Sequence, residues 1–125
     1  MRKTIAILSL AALAFIGAGC SQLKSRDNLN KGVAAFKNAQ YPEAVERFKE
    51  AVDLDPTFTT ARLYLAMAYM QQYIPGAVSP ENKQMWEAAF DHFSKAVEQD
   101  PKNSVAIASI ASLYLNEKKR ADARR

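Results

Sequence analysis

The chain has 125 residues, 49% hydrophobic and 24% charged, with four glycines, five prolines, one cysteine and a formal charge of +4. That length fits one small globular domain, and a lone cysteine excludes an intrachain disulfide. The excess charge sits at the two ends, on Arg2 and Lys3 and then on Lys118, Lys119, Arg120, Arg124 and Arg125; residues 20–116 carry ten basic and eleven acidic side chains, which leaves no basic stripe for nucleic acid.

Taken in chain order, the first element is an apolar run, Ile5 to Ile16, preceded by Arg2 and Lys3 and followed by Gly17, Ala18, Gly19 and Cys20. A charged start, an apolar middle and small residues before a cut are the layout of a secretory signal. The ending Ala18-Gly19-Cys20 resembles the lipobox of bacterial lipoprotein signal peptides, with Gly17 where leucine is usual. The resemblance implies a signal peptide over 1–19, lipidation of Cys20, a short linker over 20–24, and a membrane-anchored lipoprotein of the bacterial cell envelope. Ser21 behind the cysteine favours the outer membrane facing the periplasm. The competing reading is an uncleaved anchor, because Thr4 to Leu23 is a stretch without charge about as long as the ~20 residues a span needs.

The remainder is helical in pattern. Ala44 to Pro56, AVERFKEAVDLDP, returns forty-five positions later as Ala89 to Pro101, AFDHFSKAVEQDP. Ala44, Phe48 and Ala51 stand at i, i+4 and i+7, so two small residues flank one ring on a single helix face that a neighbouring helix can approach closely. Asp55-Pro56 and Asp100-Pro101 end their helices, since proline has no N–H and drives the residue before it out of the α region. Glycine is scarce and β-branched runs are short, so the spacing predicts helices near 25–38, 41–54, 58–72, 80–99 and 104–117, then a stub, and no sheet. Phe48, Tyr69, Phe93 and Tyr114 are predicted to be packing between helices.

These residues resemble the tetratricopeptide repeat (TPR). Gly32, Tyr41, Ala44, Phe48, Ala51 and Pro56 fall on its motif positions in a first unit over 25–58. Leu65, Ala66, Tyr69, Ala89, Phe93, Ala96 and Pro101 do so in a second unit over 59–103, lengthened by an insertion near 71–85, and Ile110, Ala111 and Tyr114 open an incomplete third over 104–125. The implied fold is all-α, helical hairpins stacked as a short right-handed solenoid of about two and a half repeats, filling a TPR domain over 25–125. Arrays generally need three or more units to cover their apolar faces, so a longer array or a partner is expected to complete the stack.

A repeat array works through its surfaces. The family's clamp for a peptide carboxylate is missing, because Leu29, Val33, Tyr64, Val105 and Ser109 occupy its positions. The inner face instead holds Leu29, Val33 and Phe36, then Leu63, Met67 and Met70, an apolar partner-binding groove whose methionines can repack around a protein or peptide segment. The equally open alternative is that these residues pack on one another. In the insertion, Ile74-Pro75-Gly76 breaks a helix and Ser79-Pro80 starts the next, placing Tyr73, Ile74 and Val78 in a possible partner loop, unless that loop folds back. His92, the only histidine, is expected in solvent, and no catalytic, metal-ligand or phosphate-cradling motif accompanies it. The sequence therefore reads as a protein-binding scaffold or adaptor that is not an enzyme and takes no cofactor, metal or small-molecule substrate. The alternative is a regulatory subunit of an envelope enzyme such as a cell-wall hydrolase or synthase.

Overall fold

The computed structural model describes residues 2–125, with side chains described from Gly19 onward. Five helices follow one another: α1 (Arg2–Lys37), α2 (Tyr41–Leu54), α3 (Thr59–Gln72), α4 (Pro80–Gln99) and α5 (Ser104–Ala123). Among the described residues there is no strand, and the architecture is a short helical-repeat solenoid.

The turns repeat as the sequence does. At the end of α2 the Asp55 amide donates to the Ala51 carbonyl (3.0 Å) and the Phe58 amide to the Asp55 carbonyl (3.0 Å); at the end of α4 Asp100 and Asn103 make the same bonds, to Ala96 (2.8 Å) and Asp100 (3.0 Å). In both turns the aspartate Oδ1 also accepts the amide two residues on, from Thr57 (3.2 Å) and from Lys102 (3.3 Å). These Asx turns satisfy backbone groups that proline leaves without a helical partner. The following helices begin on side-chain caps where one is present: Ser79 Oγ accepts the Asn82 amide (3.1 Å) and Asn103 Oδ1 the Ala106 amide (3.0 Å). Between α1 and α2 the chain turns at Ala39, whose φ of +56° is the left-handed conformation that glycine would enter without strain.

Two cores lie along the stack. Phe48 of α2, fully buried between Ala44 and Ala51, fills the first, against Ala35 of α1 and Ala61, Leu65 and Ala68 of α3. Phe93 of α4, between Ala89 and Ala96, fills the second, against Ala66 of α3 and Ala106 and Leu113 of α5. Gly32 is the seat of the first ring: a Cβ there would stand 2.5 Å from the Phe48 ring. Ser25 and Ser21 bind α1 to α2 through hydroxyl bonds to the carbonyls of Ala51 (2.6 Å) and Leu54 (2.5 Å).

Two expectations change here. The third unit is one long helix that runs to Ala123, past the end expected near 117, because Asn116 to Arg120 contain no glycine or proline and are mostly good helix formers; Glu117 and Arg120 form an i,i+3 ion pair within it. Residues 20–24 are part of α1, and Ser21 is docked on α2, so no free linker precedes the repeats.

Candidate functional site

The candidate groove is built from the faces of α1 and α3 that the cores leave partly open. Leu29, Val33 and Phe36 stand at i, i+4 and i+7 of α1, and all three are half-buried, leaning on the first core. Leu63, Met67 and Met70 have the same spacing on α3 and are half-buried against the second core. The structure therefore arranges the six predicted residues as two triplets, each anchored on a different core. Tyr64 stands behind the first, stacked on Phe48 (centroids 5.4 Å apart, planes at 30°) and meeting Phe36 edge-on at 6.3 Å. On α5 the apolar surface opens further, with Val105, Ala108 and Leu115 exposed.

No charged group stands among these residues, and the surface can accept apolar side chains without fixing the direction of a carboxylate. A cleft lined by Tyr73, Asn82, Lys83, Trp86, Glu87, Glu117 and Arg120 measures about 130 Å³. Small-molecule sites usually hold ~300 Å³ or more.

The insertion is more ordered than its composition suggests. Tyr73 is turned inward, 7% exposed, and its hydroxyl donates to Glu117 Oε1 of α5 at 3.2 Å. Burial and the nearby Glu117 carboxylate both push the phenol upward in pKa. Ile74 and Val78 stay exposed, and Gly76 supplies the positive φ (+90°) of the turn between them. The residue that organises the loop is Asn82, which nothing in the sequence singled out. Its buried side chain accepts the Ile74 amide (2.6 Å) and donates to the carbonyls of Ile74 (2.9 Å) and Ala77 (3.0 Å).

His92 is half-buried and not in open solvent. It stacks on Tyr69 (6.0 Å, 5°) and its Nδ1 lies 3.4 Å from an Nη of Arg62, a buried arginine that also donates to the Pro56 carbonyl at 3.2 Å. Burial lowers the imidazole pKa, Asp91 opposes that shift, and Arg62, Lys95 and Lys49 reinforce it, a direction that favours the neutral ring, whose bare nitrogen can accept from Arg62. The Arg62 Nε is buried without a hydrogen-bond partner among the described residues. A second group, of which the sequence marked Tyr114 alone, joins α4 to α5: Trp86 stacks on Phe90 (5.2 Å, 3°), Tyr114 meets both edge-on, and the indole N–H donates to the Leu113 carbonyl (3.3 Å). Trp86 and Phe90 are spaced i, i+4, a signal that would have marked a second apolar face on this helix.

Comparison with known proteins gives this geometry its context. The TPR domain of Arabidopsis OM64 superposes with a TM-score of 0.65 at 25% identity, over 82% of this chain and 78% of that one. The first TPR of Spaghetti (RPAP3), solved with the HSP90 peptide SRMEEVD, aligns at a TM-score of 0.41 and 19% identity, over 75% of this chain and 93% of that one. Among curated proteins no relative is found. The family of the plant-specific mitochondrial import receptor subunit TOM20 matches residues 21–119, which contain all the groove and loop residues above.

That match overturns the bacterial reading. A signal peptide over 1–19, lipidation of Cys20, and residence in a bacterial envelope at the periplasmic face of an outer membrane conflict with a family of plant mitochondrial receptors. So do the roles of envelope adaptor and of regulatory subunit of a cell-wall hydrolase or synthase. The physical reason is that a charged, then apolar, then small-residue stretch is a compositional pattern that N-termini of different destinations can share. Most of it lies outside the residues with described side chains; Cys20 itself is an exposed free thiol at the start of the docked part of α1. Among the described residues no helix is long and apolar enough to cross a membrane. The TPR fold and the protein-interaction character of the sequence agree with the match, and the family is of a non-catalytic kind. The chain belongs to the family of the plant-specific mitochondrial import receptor subunit TOM20.

Proposed function

We propose that this domain is a receptor that captures protein segments during mitochondrial import, docking an apolar stretch of a precursor along Leu29, Val33 and Phe36 of α1 and Leu63, Met67 and Met70 of α3. The observation that carries this reading is the family match over residues 21–119, within which all six groove residues fall. The chemistry of the surface supports it. Six half-buried apolar side chains, two of them adaptable thioethers, suit sequences that share amphipathic character more than they share identity. A carboxylate clamp is not available at Leu29, Val33, Tyr64, Val105 or Ser109, so recognition rests on apolar contact and not on a chain terminus.

The test is capture of a labelled mitochondrial precursor by the immobilised domain, with the same precursor lacking its targeting segment as control. Replacing Met67 and Met70 together by glutamate should weaken capture at least about tenfold, since two charges would have to be desolvated at the contact. Circular dichroism should keep its helical amplitude, because both side chains are only half-buried. Equal capture by the double variant would remove this groove as the site.

A further inference from the structure

The joint between the first and second repeats carries positive charge that its own carboxylates leave unbalanced. Arg62 lies in the first turn of α3 and is 8% exposed, and among the described residues no carboxylate stands within ion-pair distance of it. A guanidinium has five N–H donors. One goes from Nη1 toward His92 Nδ1 and one from Nη2 to the Pro56 carbonyl, while Nε has no hydrogen-bond partner among the described residues. Arginine is almost never buried without a counter-charge, and a buried donor left over calls for a water or an ion.

The surroundings add to the deficit. Arg62 sits at the positive end of the α3 dipole, and the cap residue Phe58 brings no side-chain oxygen there. His92 of α4 stacks on Tyr69, and the charged groups that act on its ring are Lys49 of α2, Arg62 of α3, and Asp91 and Lys95 of α4. The one carboxylate of this set, Asp91, is bonded to Lys95 at 2.9 Å. Asp55, the acid nearest to Arg62 in sequence, uses Oδ1 on the amide and hydroxyl of Thr57 (3.2 and 2.7 Å). Lys49 and Lys95 are exposed and His92 is half-buried, so the cluster reaches the surface.

We infer that this joint is a binding site for a small inorganic oxyanion of the phosphate type, held between His92 and the remaining Nη donors of Arg62, with Lys49 supplying the outer charge. The guanidinium fork matches a pair of oxygens, which selects an oxyanion over a halide. Binding turns the imidazole from acceptor to donor: the ring takes a proton from the buffer, and both it and Arg62 donate to the anion. Because Arg62 also holds the Pro56 carbonyl of the turn between α2 and α3, the anion ties one repeat to the next. The site is separate from the precursor groove, since Arg62, Ala66 and Tyr69 form the row of α3 turned to α4 and Leu63, Met67 and Met70 the row beside it.

The test is titration of the full chain with inorganic phosphate in a zwitterionic buffer, against chloride at matched ionic strength, followed by amide and His92 ring resonances and by the melting temperature. The shifts should saturate at millimolar phosphate, centred on Lys49, Arg62 and His92, and the melting temperature should rise along the same curve. The pH midpoint of His92 should rise by at least about half a unit, because a bound anion favours the imidazolium. Lys49→Ala should weaken binding severalfold and His92→Gln at least about tenfold. Arg62→Met should abolish it; should that variant not fold, the two others, at exposed and half-buried positions, decide the matter. The Met67 and Met70 glutamate variant should bind phosphate unchanged. Shifts that grow linearly, or that chloride reproduces, would be general screening and would overturn the proposal. So would saturable binding that Lys49→Ala and His92→Gln both leave intact.

Discussion

α3 and α5 carry the same motif in the same register and live in different surroundings. α3 is held on both sides, by Phe48 from α2 and by Phe93 from α4. Among the described residues α5 is held on one side, and Tyr114, the counterpart of the half-buried Tyr69, is 55% exposed. The contrast teaches that a small residue in a repeat is a seat, and that its burial depends on the next helix and not on its own identity. It also predicts that one substitution has very unequal consequences at two equivalent positions.

The largest effect should come from testing that directly. Ala66→Glu places an unpaired carboxylate under the Phe93 ring and should cost about 4 kcal/mol, enough to unfold much of the domain, whereas Ala111→Glu should stay within about 0.5 kcal/mol. Urea denaturation followed by circular dichroism separates the two, and similar losses at both sites would mean that α5 is covered. Emptying a seat in the other way, Phe93→Ala, should cost roughly 3 to 5 kcal/mol, since the ring is fully buried between Ala89 and Ala96.

The insertion supplies the next contrast, between a loop held by a core and one held by a single amide. Asn82→Ala removes three side-chain bonds and leaves both backbone groups of Ile74 without them, which should cost about 2 kcal/mol. Amide exchange should quicken between Ile74 and Val78 more than in α2. Uniform loosening of all helices would show that the clasp supports the whole stack.

A smaller effect follows from His92. Its folded pKa lies below the unfolded value near 6.5, so the unfolded chain takes up the proton first as the solution is acidified. Stability from this group is complete above the unfolded value and declines as pH falls toward the folded one. The melting temperature should therefore drop by a few degrees between pH 7.5 and 5.5, and His92→Gln, which cannot acquire charge, should flatten that slope. The smallest expected change is a gain. Ala39→Gly removes left-handed strain from an alanine and should add about 0.5 kcal/mol, seen as a slightly higher midpoint in the same urea titration.

Much of the fold was legible because helices of this kind declare themselves twice, by apolar spacing and by what stops them. Asp-Pro placed the ends of α2 and α4, Ser79-Pro80 the start of α4, and the repeated Ala-Phe-Ala stripe identified both core rings before any coordinate. Asn82 was invisible because a lone asparagine among Pro80, Glu81 and Lys83 looks like surface, and only the return of the loop makes it a clasp. The inward turn of Tyr73 depends on Glu117, forty-four residues away, a separation that no local pattern carries. Arg62 hid in the same manner, since its partner His92 belongs to another helix. Destination was misread for a different reason: the N-terminal pattern is compositional, while the repeats beside it say what the domain does and nothing about where.

The matched turns at Asp55 and Asp100 have a practical corollary. Because the backbone leaves α2 and α4 through the same bonds and a proline at the same place, residues 56–100 form a cassette with superposable ends. A duplicate spliced in at the seam would lengthen the rod by one module without any new joint, and each added module would contribute another ring and another seat to the same continuous spine.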